Sequence, residues 1–171
     1  ISSKDHEVHC GFFSGKEFSG TKFDIITCMN AFAHNQDQLE LLKSMGRKLS
    51  DDGLIFCTTS QADMILNGEF DTIYHEHISY YNAYSMMCLA QRAGLHLVDV
   101  VKTPIHGTSY IFVLSKKPFN RERIENILAL ESPLHSGSTY RTWANNVDDL
   151  LKRLQEQISE YRGFGYCIVG Y

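Results

Sequence analysis

The pattern of apolar and polar positions predicts alternating strands and helices in the first part of the chain. Residues 23–30 and 54–59 form short, nearly continuous apolar runs with β-branched side chains, which are typical of strands covered on both faces. Between them, Asn35 or Asp37 can cap a helix. The apolar positions of this helix form one stripe: Leu39, Leu42, Met45 and Leu49. A strand, a helix and a second strand in this order predict a parallel crossover in an α/β sheet.

Turn and cap signals predict the boundaries of the next elements. Residues 51–53, Asp-Asp-Gly, predict a turn before the second strand, and residues 61–66 predict a short helix. Asn82 is expected to cap a helix over residues 83–93. Gly94 follows this helix at the position where a left-handed residue commonly ends a helix.

Two more apolar runs, residues 95–102 and 109–115, predict a pair of strands. The loop between them is too short for a crossover, so the two strands are expected to be antiparallel. An α/β sheet that ends in an antiparallel hairpin is one of several kinds of mixed sheet.

Beyond residue 117 the pattern becomes helical. Residues 121–130 and 140–161 predict two helices, and glycines follow the second of them. The second helix carries one apolar stripe: Trp143, Val147, Leu150, Leu151, Leu154, Ile158 and Tyr161. Residues 167–170 then predict the start of a buried strand. Because the chain starts without Met and stops within this pattern, we expect it to be an internal piece of a longer protein.

Composition narrows the classes of partner and compartment. A hydrophobic fraction of 43% supports a packed core, and a net charge of −4 argues against a nucleic-acid partner. The five cysteines stand singly, without a CxxC pair, which favours buried free thiols in the reducing cytoplasm. No apolar run approaches the roughly 20 residues of a membrane span, and no signal peptide is visible, so no membrane association is expected.

The densest group of reactive side chains is Tyr74-His75-Glu76-His77, followed by Tyr80. In an extended segment, Tyr74 and Glu76 would lie on one side, with His75 and His77 on the other. A histidine beside a carboxylate and a phenol has the parts for proton abstraction, namely a base, an orienting group and a donor for the oxyanion. The same residues are also compatible with a polar network that anchors a loop.

Zinc binding is a third interpretation of this segment. The two histidines are not spaced as in HExxH, so a metalloprotease site is excluded. A pair formed by His75 and His77 could bind zinc together with His34 or His106.

Two loops lie where ligands commonly bind. His34 follows the first strand, and ligands of open α/β sheets bind outside the carboxyl ends of the strands. His106 and Gly107 lie between the last two strands, close to Ser109, where the glycine permits a tight turn or a phosphate contact. An exposed loop histidine and a simple turn remain the alternatives.

Residues 70–81, FDTIYHEHISYY, closely resemble the hallmark segment of the sugar C-methyltransferases, enzymes that act on deoxysugar nucleotides. The resemblance continues through residues 94–100 and 104–109, and residues 30–34 are similar to the family's loop after its fourth strand. Residues 168–171 look like the opening of the family's C-terminal, Rossmann-like domain.

This resemblance implies a fold. Residues 1–118 would form the C-terminal half of a class I, Rossmann-like methyltransferase core that depends on S-adenosylmethionine. Residues 119–171 would be connecting helices and the start of a second Rossmann-like domain. Zinc is expected only in an upstream domain that is absent from this chain, and no metal site is expected within it.

The resemblance also implies a reaction and its residues. The substrate would be a nucleotide-linked keto-deoxysugar, which loses a proton α to its ketone before the enolate carbon is methylated. His77 resembles the base, and three other residues would line the same site: Tyr74, Glu76 and His34. Near the cofactor would lie Asn30, Ala31 and Phe32. Substrate contacts are expected from His75, Tyr80, His106, Gly107 and Ser109.

Some features depart from the family's pattern. The chain contains neither a GxGxxG-type loop nor the acidic residue expected to bind the ribose of the cofactor. Ile111 stands where the family tends to carry an arginine, so the exact substrate stays open. Two other functions are therefore compatible with the sequence: a non-catalytic methyltransferase-like remnant or interaction module, and an epimerase-type enzyme that uses the same base without a methyl donor.

Overall fold

The computed structural model describes residues 6–60, 63–105, 108–119 and 122–170. Its centre is a four-stranded mixed sheet of order β1-β2-β4-β3. The strands are β1 (Phe23–Cys28), β2 (Leu49–Thr59), β3 (His96–Thr103) and β4 (Ser109–Ser115). β1 and β2 are parallel, whereas β4 is antiparallel to both of its neighbours. The predicted α/β class and the parallel crossover between the first two strands are confirmed.

Five helices accompany this sheet within the described ranges. They are α1 (Gln38–Lys48), α2 (Met64–Asn67), α3 (Ala83–Arg92), α4 (Glu122–Leu130) and α5 (Gly137–Gly163), with 3-10 turns at Phe32–His34 and Ser132–His135. The Asp37 side chain caps α1 by accepting a hydrogen bond from Glu40 N–H at 2.9 Å. Asn82 caps α3 in a reciprocal capping box with Ser85, as its sequence position predicts. None of these helices combines the length and apolar character needed to cross a bilayer.

The hydrophobic core lies between one face of the sheet and the helices α1, α3 and α4. The sheet, α1 and α3 each contribute fully buried residues, and α4 contributes the nearly buried Ile124. Representative core residues are Leu42, Ile55, Met86, Phe112 and Leu114. Burial of each such side chain contributes about 1.5–3 kcal/mol, so this face supplies the main stabilisation of the sheet.

β1 is more exposed than its apolar sequence predicts. Ile25 retains 65% of its accessible surface, and the prediction that this strand is covered on both faces was wrong. The physical reason is the alternation of side chains along a strand: Ile26 and Cys28 pack against the core, whereas Ile25 lies on the opposite face. The free thiols show a similar difference: Cys57 is buried, but Cys10 and Cys167 are exposed.

The turn predicted at residues 51–53 is instead part of β2, which begins at Leu49. β1 pairs Phe23 with Leu49 and then Ile25 with Leu54, so β2 carries extra residues in a bulge. Leu49 is fully buried, but as a strand residue and not as part of the helix stripe. The glycine signal therefore marked an irregular strand and not a turn.

The C-terminal residues also differ from the prediction. Residues 166–170 form no strand and are exposed, and they pair with none of the four strands of the described sheet. The stripe of α5 exists, but no residue of this helix is buried. Residues 61, 62 and 121, which were included in two predicted helices, lie outside the described residues. The second Rossmann-like domain and the division at residue 118 stay predictions.

Gly53 is expected to be the residue of the bulge least tolerant of a side chain. A Cβ atom there would lie 2.8 Å from Leu49 Cδ1 and 3.0 Å from the Asp24 carbonyl oxygen. Gly53→Ala should therefore lower the free energy of unfolding by about 1–3 kcal/mol in urea denaturation. Gly163→Ala is the matched control, since nothing lies within 4 Å of its Cβ, and it should change stability by less than about 0.5 kcal/mol. Equal effects of the two substitutions would contradict this account of the bulge.

Candidate active site

The loop of residues 68–81, between α2 and α3, folds back on itself where the sequence alternation predicted an extended segment. His77 N–H donates to the Tyr74 carbonyl oxygen at 3.1 Å, and Ile73 N–H donates to Phe70 at 3.0 Å. A turn of this kind brings residues three apart together. The Tyr74 hydroxyl consequently lies 3.2 Å from His77 Nε2, and the ring centroids are 4.3 Å apart. The prediction that these two side chains lie on opposite sides was wrong.

Backbone hydrogen bonds tie this loop to the carboxyl ends of β1 and β2. Ile78 N–H donates to the Ala33 carbonyl oxygen at 3.1 Å, and Tyr81 N–H donates to that of Ser60 at 3.1 Å. From α5, the Trp143 indole N–H donates to the Glu69 carbonyl oxygen at 3.0 Å. The loop therefore closes over the edge of the sheet where ligands of α/β proteins commonly bind.

The hydrogen bonds of His77 assign its tautomer. His77 Nδ1 lies 2.8 Å from the Thr72 carbonyl oxygen, which can only accept a hydrogen bond, so Nδ1 carries the proton. The Ser60 hydroxyl oxygen lies 2.8 Å from the same nitrogen, so it and the Thr72 carbonyl oxygen share the Nδ1 proton. Nε2 is then unprotonated in the neutral ring and is available as a base, with the Tyr74 hydroxyl beside it.

His77 lines a cavity of about 300 Å³ at this edge of the sheet. The ring of His34 lies beside that of His77, with the two ring centroids 4.8 Å apart. The lining residues come from the ends of β1, β2 and β4 and from the loop: Asn30, Ala33, His34, Thr59, Ser60, Met64, Glu69, Asp71, Thr72, Tyr74, His77, Thr108 and Ser109. The cavity thus combines imidazole, phenol, hydroxyl and carboxylate groups.

Five predicted site residues share this cavity: His77, Tyr74, His34, Asn30 and Ser109. Asn30 has a positive φ of 53°, an uncommon backbone conformation outside glycine that often occurs at functional sites. The Ser109 hydroxyl donates to the Ile105 carbonyl oxygen at 2.8 Å. Tyr80 does not line the cavity. Its hydroxyl donates to the Thr72 carbonyl oxygen at 3.2 Å, and burial raises the pKa of this phenol.

Other predicted site residues lie elsewhere. Glu76 and His75 point away from the cavity, with His75 Nε2 3.9 Å from Glu76 Oε1 and both side chains mostly exposed. Phe32 is fully buried in the core, where it packs on Tyr81. The turn at Tyr74 and His77 explains the first result, because it directs the two intervening residues outward.

His106 and Gly107, which we predicted to contact the substrate, lie outside the described residues. Within the described part of the chain, no group of three or more His, Cys, Asp or Glu side chains could hold a metal ion. His75 does not line the cavity with His77 and His34, so these three side chains do not form the zinc site considered above, and the combination with His106 lies outside the described residues.

Ala31 lines a second, more apolar cavity of about 580 Å³ beside β1. Its aromatic and aliphatic walls come mainly from the N-terminal segment, β1 and α1: Phe12, Phe13, Phe18, Phe23, Ile25, Ile26, Leu41 and Met45. His34 lines both cavities, so the two lie side by side at the carboxyl end of β1.

The sequence interpretation did not include Ser60 or Thr72, although both contact His77 Nδ1. Ser60 directly follows β2, and its position at the carboxyl end of a buried strand is a signal that could have identified it. Thr72 acts through its backbone carbonyl, for which the side-chain sequence carries no signal.

Comparisons with known proteins agree with this fold. A protein family described as a methyltransferase domain matches residues 2–100, more than half of the chain. The chain belongs to this methyltransferase family. The complex between the Haloferax volcanii Trm112 methyltransferase activator and a methyltransferase contains a chain that aligns with a TM-score of 0.53 and 16% identity, over 70% of this chain and 65% of that one. This likeness supports the methyltransferase-type α/β fold that the sequence predicted.

A characterised relative gives a more specific similarity. The C-methyltransferase NovU of Streptomyces niveus is 30% identical over 146 residues, which are 82% of this chain and 35% of that protein. The chain therefore spans about a third of the length of this curated relative. The similarity includes most of the sheet and the loop of residues 68–81 described above.

The tautomer of His77 can be measured directly. In ¹⁵N-histidine spectra above the titration range of the ring, His77 should show a protonated Nδ1 and an unprotonated Nε2, because the Thr72 carbonyl oxygen requires a donor. The exposed His75 in the same spectrum is the internal reference. A protonated Nε2 at His77 would contradict the assignment.

Proposed function

We propose that the protein containing this chain is an S-adenosylmethionine-dependent C-methyltransferase, which deprotonates the carbon α to the ketone of a nucleotide-linked keto-deoxysugar and methylates that carbon. The observation that carries the proposal is the arrangement at His77, whose Nδ1 proton is engaged by the Thr72 carbonyl oxygen while Nε2 faces Tyr74. The similarity to NovU and the FDTIYHEH segment support the C-methyltransferase class.

In the first step, His77 Nε2 removes the α-proton and the electron pair of the broken C–H bond forms the enolate. A base with a pKa near neutrality suits this step, and histidine is the residue type that provides it without strong perturbation. As the ring gains charge, the hydrogen bond from Nδ1–H to the Thr72 carbonyl oxygen becomes charge-assisted and so stronger. The same bond keeps the ring oriented during the transfer.

The enolate oxygen requires a hydrogen-bond donor placed beside the base. The Tyr74 hydroxyl, 3.2 Å from His77 Nε2, is the nearest phenol and can donate to this oxygen when the substrate carbonyl lies in the cavity. His34, whose ring centroid lies 4.8 Å from that of His77, is a second donor of suitable chemistry. Stabilisation of an oxyanion by one such donor contributes about 3–4 kcal/mol in enzymes that have been dissected by mutation.

The residues present fit one side of a methyl-donor site. Asn30, with its left-handed backbone, and Ala31 turn the chain at the carboxyl end of β1, beside the apolar cavity that shares His34 with the first. S-adenosylmethionine bound there would supply an electrophilic methyl group on a sulfonium. That methyl group would be the one that the enolate carbon accepts, and His77 afterwards releases its proton to solvent.

The side chain of His77 should be essential and that of His75 dispensable. In the full protein, His77→Gln should slow solvent exchange of the α-proton of a keto-deoxysugar nucleotide, followed by NMR in D₂O, by about 10²–10⁴-fold. His75→Gln is the matched control, because this ring is mostly exposed and does not line the cavity. Equal rates for the His77→Gln variant and the wild type would rule out His77 as the base.

A labelled methyl group distinguishes the reactions that share this base. Label transferred from S-adenosylmethionine to carbon supports methyl transfer. α-Proton exchange with inversion at carbon and without label transfer would support the epimerase-type alternative instead. If the full protein catalyses neither α-proton exchange nor methyl transfer, the non-catalytic remnant is favoured.

A further inference from the structure

A buried polar cluster lies beneath the site and takes no part in the proposed reaction. Its members are Asp63, Tyr110 and Glu131, whose exposed fractions are 3%, 1% and 1%. Lys102 lies at its edge, with Nζ 2.9 Å from Asp63 Oδ2 and 5.3 Å from the centre of the Tyr110 ring. Two buried carboxyls around one phenol carry a substantial desolvation cost.

Glu131 connects this cluster to the end of the site loop. Its Oε2 atom accepts a hydrogen bond from Ala83 N–H, the first residue of α3, at 2.8 Å. Burial raises the pKa of Glu131, and the backbone N–H groups at the start of α3 partly oppose this rise. Because α3 begins where the loop of residues 68–81 ends, Glu131 holds the C-terminal end of that loop.

Asp63 connects the cluster to the other end of the loop. Its carbonyl oxygen accepts from Leu66 N–H at 2.8 Å and from Asn67 N–H at 3.2 Å, so Asp63 opens the short helix α2. Met64, the next residue, lines the cavity, and its sulfur accepts a hydrogen bond from the Thr72 hydroxyl at 2.9 Å. Thr72 is the residue whose carbonyl oxygen engages His77 Nδ1.

Tyr110, a residue of β4, lies beside both carboxyls. Burial holds the pKa of the Tyr110 phenol far above its usual range, and the neighbouring Asp63 and Glu131 carboxyls raise it further. The phenol is therefore neutral and supplies one O–H donor between two groups that require donors. Its ring packs edge-on against Phe112, with centroids 5.7 Å apart, so β4 fixes its position.

We infer that Asp63, Tyr110 and Glu131 are positioning residues for His77: they anchor both ends of the loop of residues 68–81 to β4 and thereby hold the ring between the Thr72 carbonyl oxygen, Ser60 and Tyr74. The catalytic meaning of this role rests on the proposed function, but the placement of His77 can be measured without substrate. None of the three residues is placed to touch the reacting atoms, so each acts through the loop.

The test compares Glu131→Ala with Glu131→Gln in the full protein. Glu131→Ala removes the acceptor of Ala83 N–H, and the protection of the Tyr81 and Ile78 amides from hydrogen exchange should fall about tenfold or more relative to amides within β4. The His77 ¹⁵N signals should move toward those of the exposed His75. Glu131→Gln retains an oxygen acceptor and should restore both the protection and the His77 signals.

Glu125→Ala is the matched control, because it removes an exposed carboxylate from α4 in the same region. A Glu131→Ala variant that leaves the His77 signals and the Tyr81 protection at the level of this control would overturn the inference. So would a uniform loss of protection across loop and sheet with an unchanged His77 signature.

Tyr110→Phe covers the case in which Glu131→Ala does not fold, because it removes only the hydroxyl and keeps the ring packed on Phe112. The same direction of change at His77 supports the inference, and an unchanged His77 signature in a folded Tyr110→Phe variant opposes it. The outcomes separate from those of the proposed function. If the variants displace the His77 signals but the wild type shows no methyl transfer, the positioning role stands and the proposed function is rejected. If the wild type is active but the variants leave the His77 signals unmoved, the proposed function stands and the positioning role is rejected.

Discussion

The pairing of β2 with both of its neighbours is the interaction on which the rest of this structure depends. β2 aligns β1 in parallel and β4 in the opposite direction, and its buried residues Ile55 and Cys57 lie at the centre of the core. Because β2 ends at Thr59, the residue that follows it, Ser60, is held at the same edge as the end of β1 and the start of β4. The cavity is the space that these strand ends and the returning loop enclose.

Backbone groups, and not only side chains, set the orientation of His77 in this site. A carbonyl oxygen of a loop assigns the proton of His77, and two backbone N–H groups tie that loop to the sheet. Backbone groups cannot change their hydrogen-bonding character, so such an arrangement leaves one tautomer of the ring rather than two. A base of defined orientation follows from the loop conformation.

The family of this chain and its proposed reaction rest on different features of the molecule. The match of residues 2–100 to a methyltransferase domain and the likeness of the sheet to a solved methyltransferase complex concern the fold. The chemistry of carbon methylation is proposed from His77, Tyr74 and His34, since a fold of this type hosts many reactions. The second, apolar cavity beside β1 meets the first at His34, which lines both.

Local pattern determined much of this protein. The apolar runs, the cap at Asn82 and the short loop between the last strands identified the α/β class, α3 and the pair β3 and β4, because these depend on neighbours within a few residues. Tertiary structure decided the rest. Ile25 is exposed because it lies on the face of β1 opposite the core, and residues 50–53 are the extra residues of the β2 bulge, between the pairs that Leu49 and Leu54 form with β1. The same holds for the site, where the YHEH segment identified the reactive side chains. The folded loop, tied to Ala33 and Ser60, brings Tyr74 and His77 together and turns Glu76 away. Sequence alone does not determine this, because hydrogen bonds between distant segments decide which side chains converge.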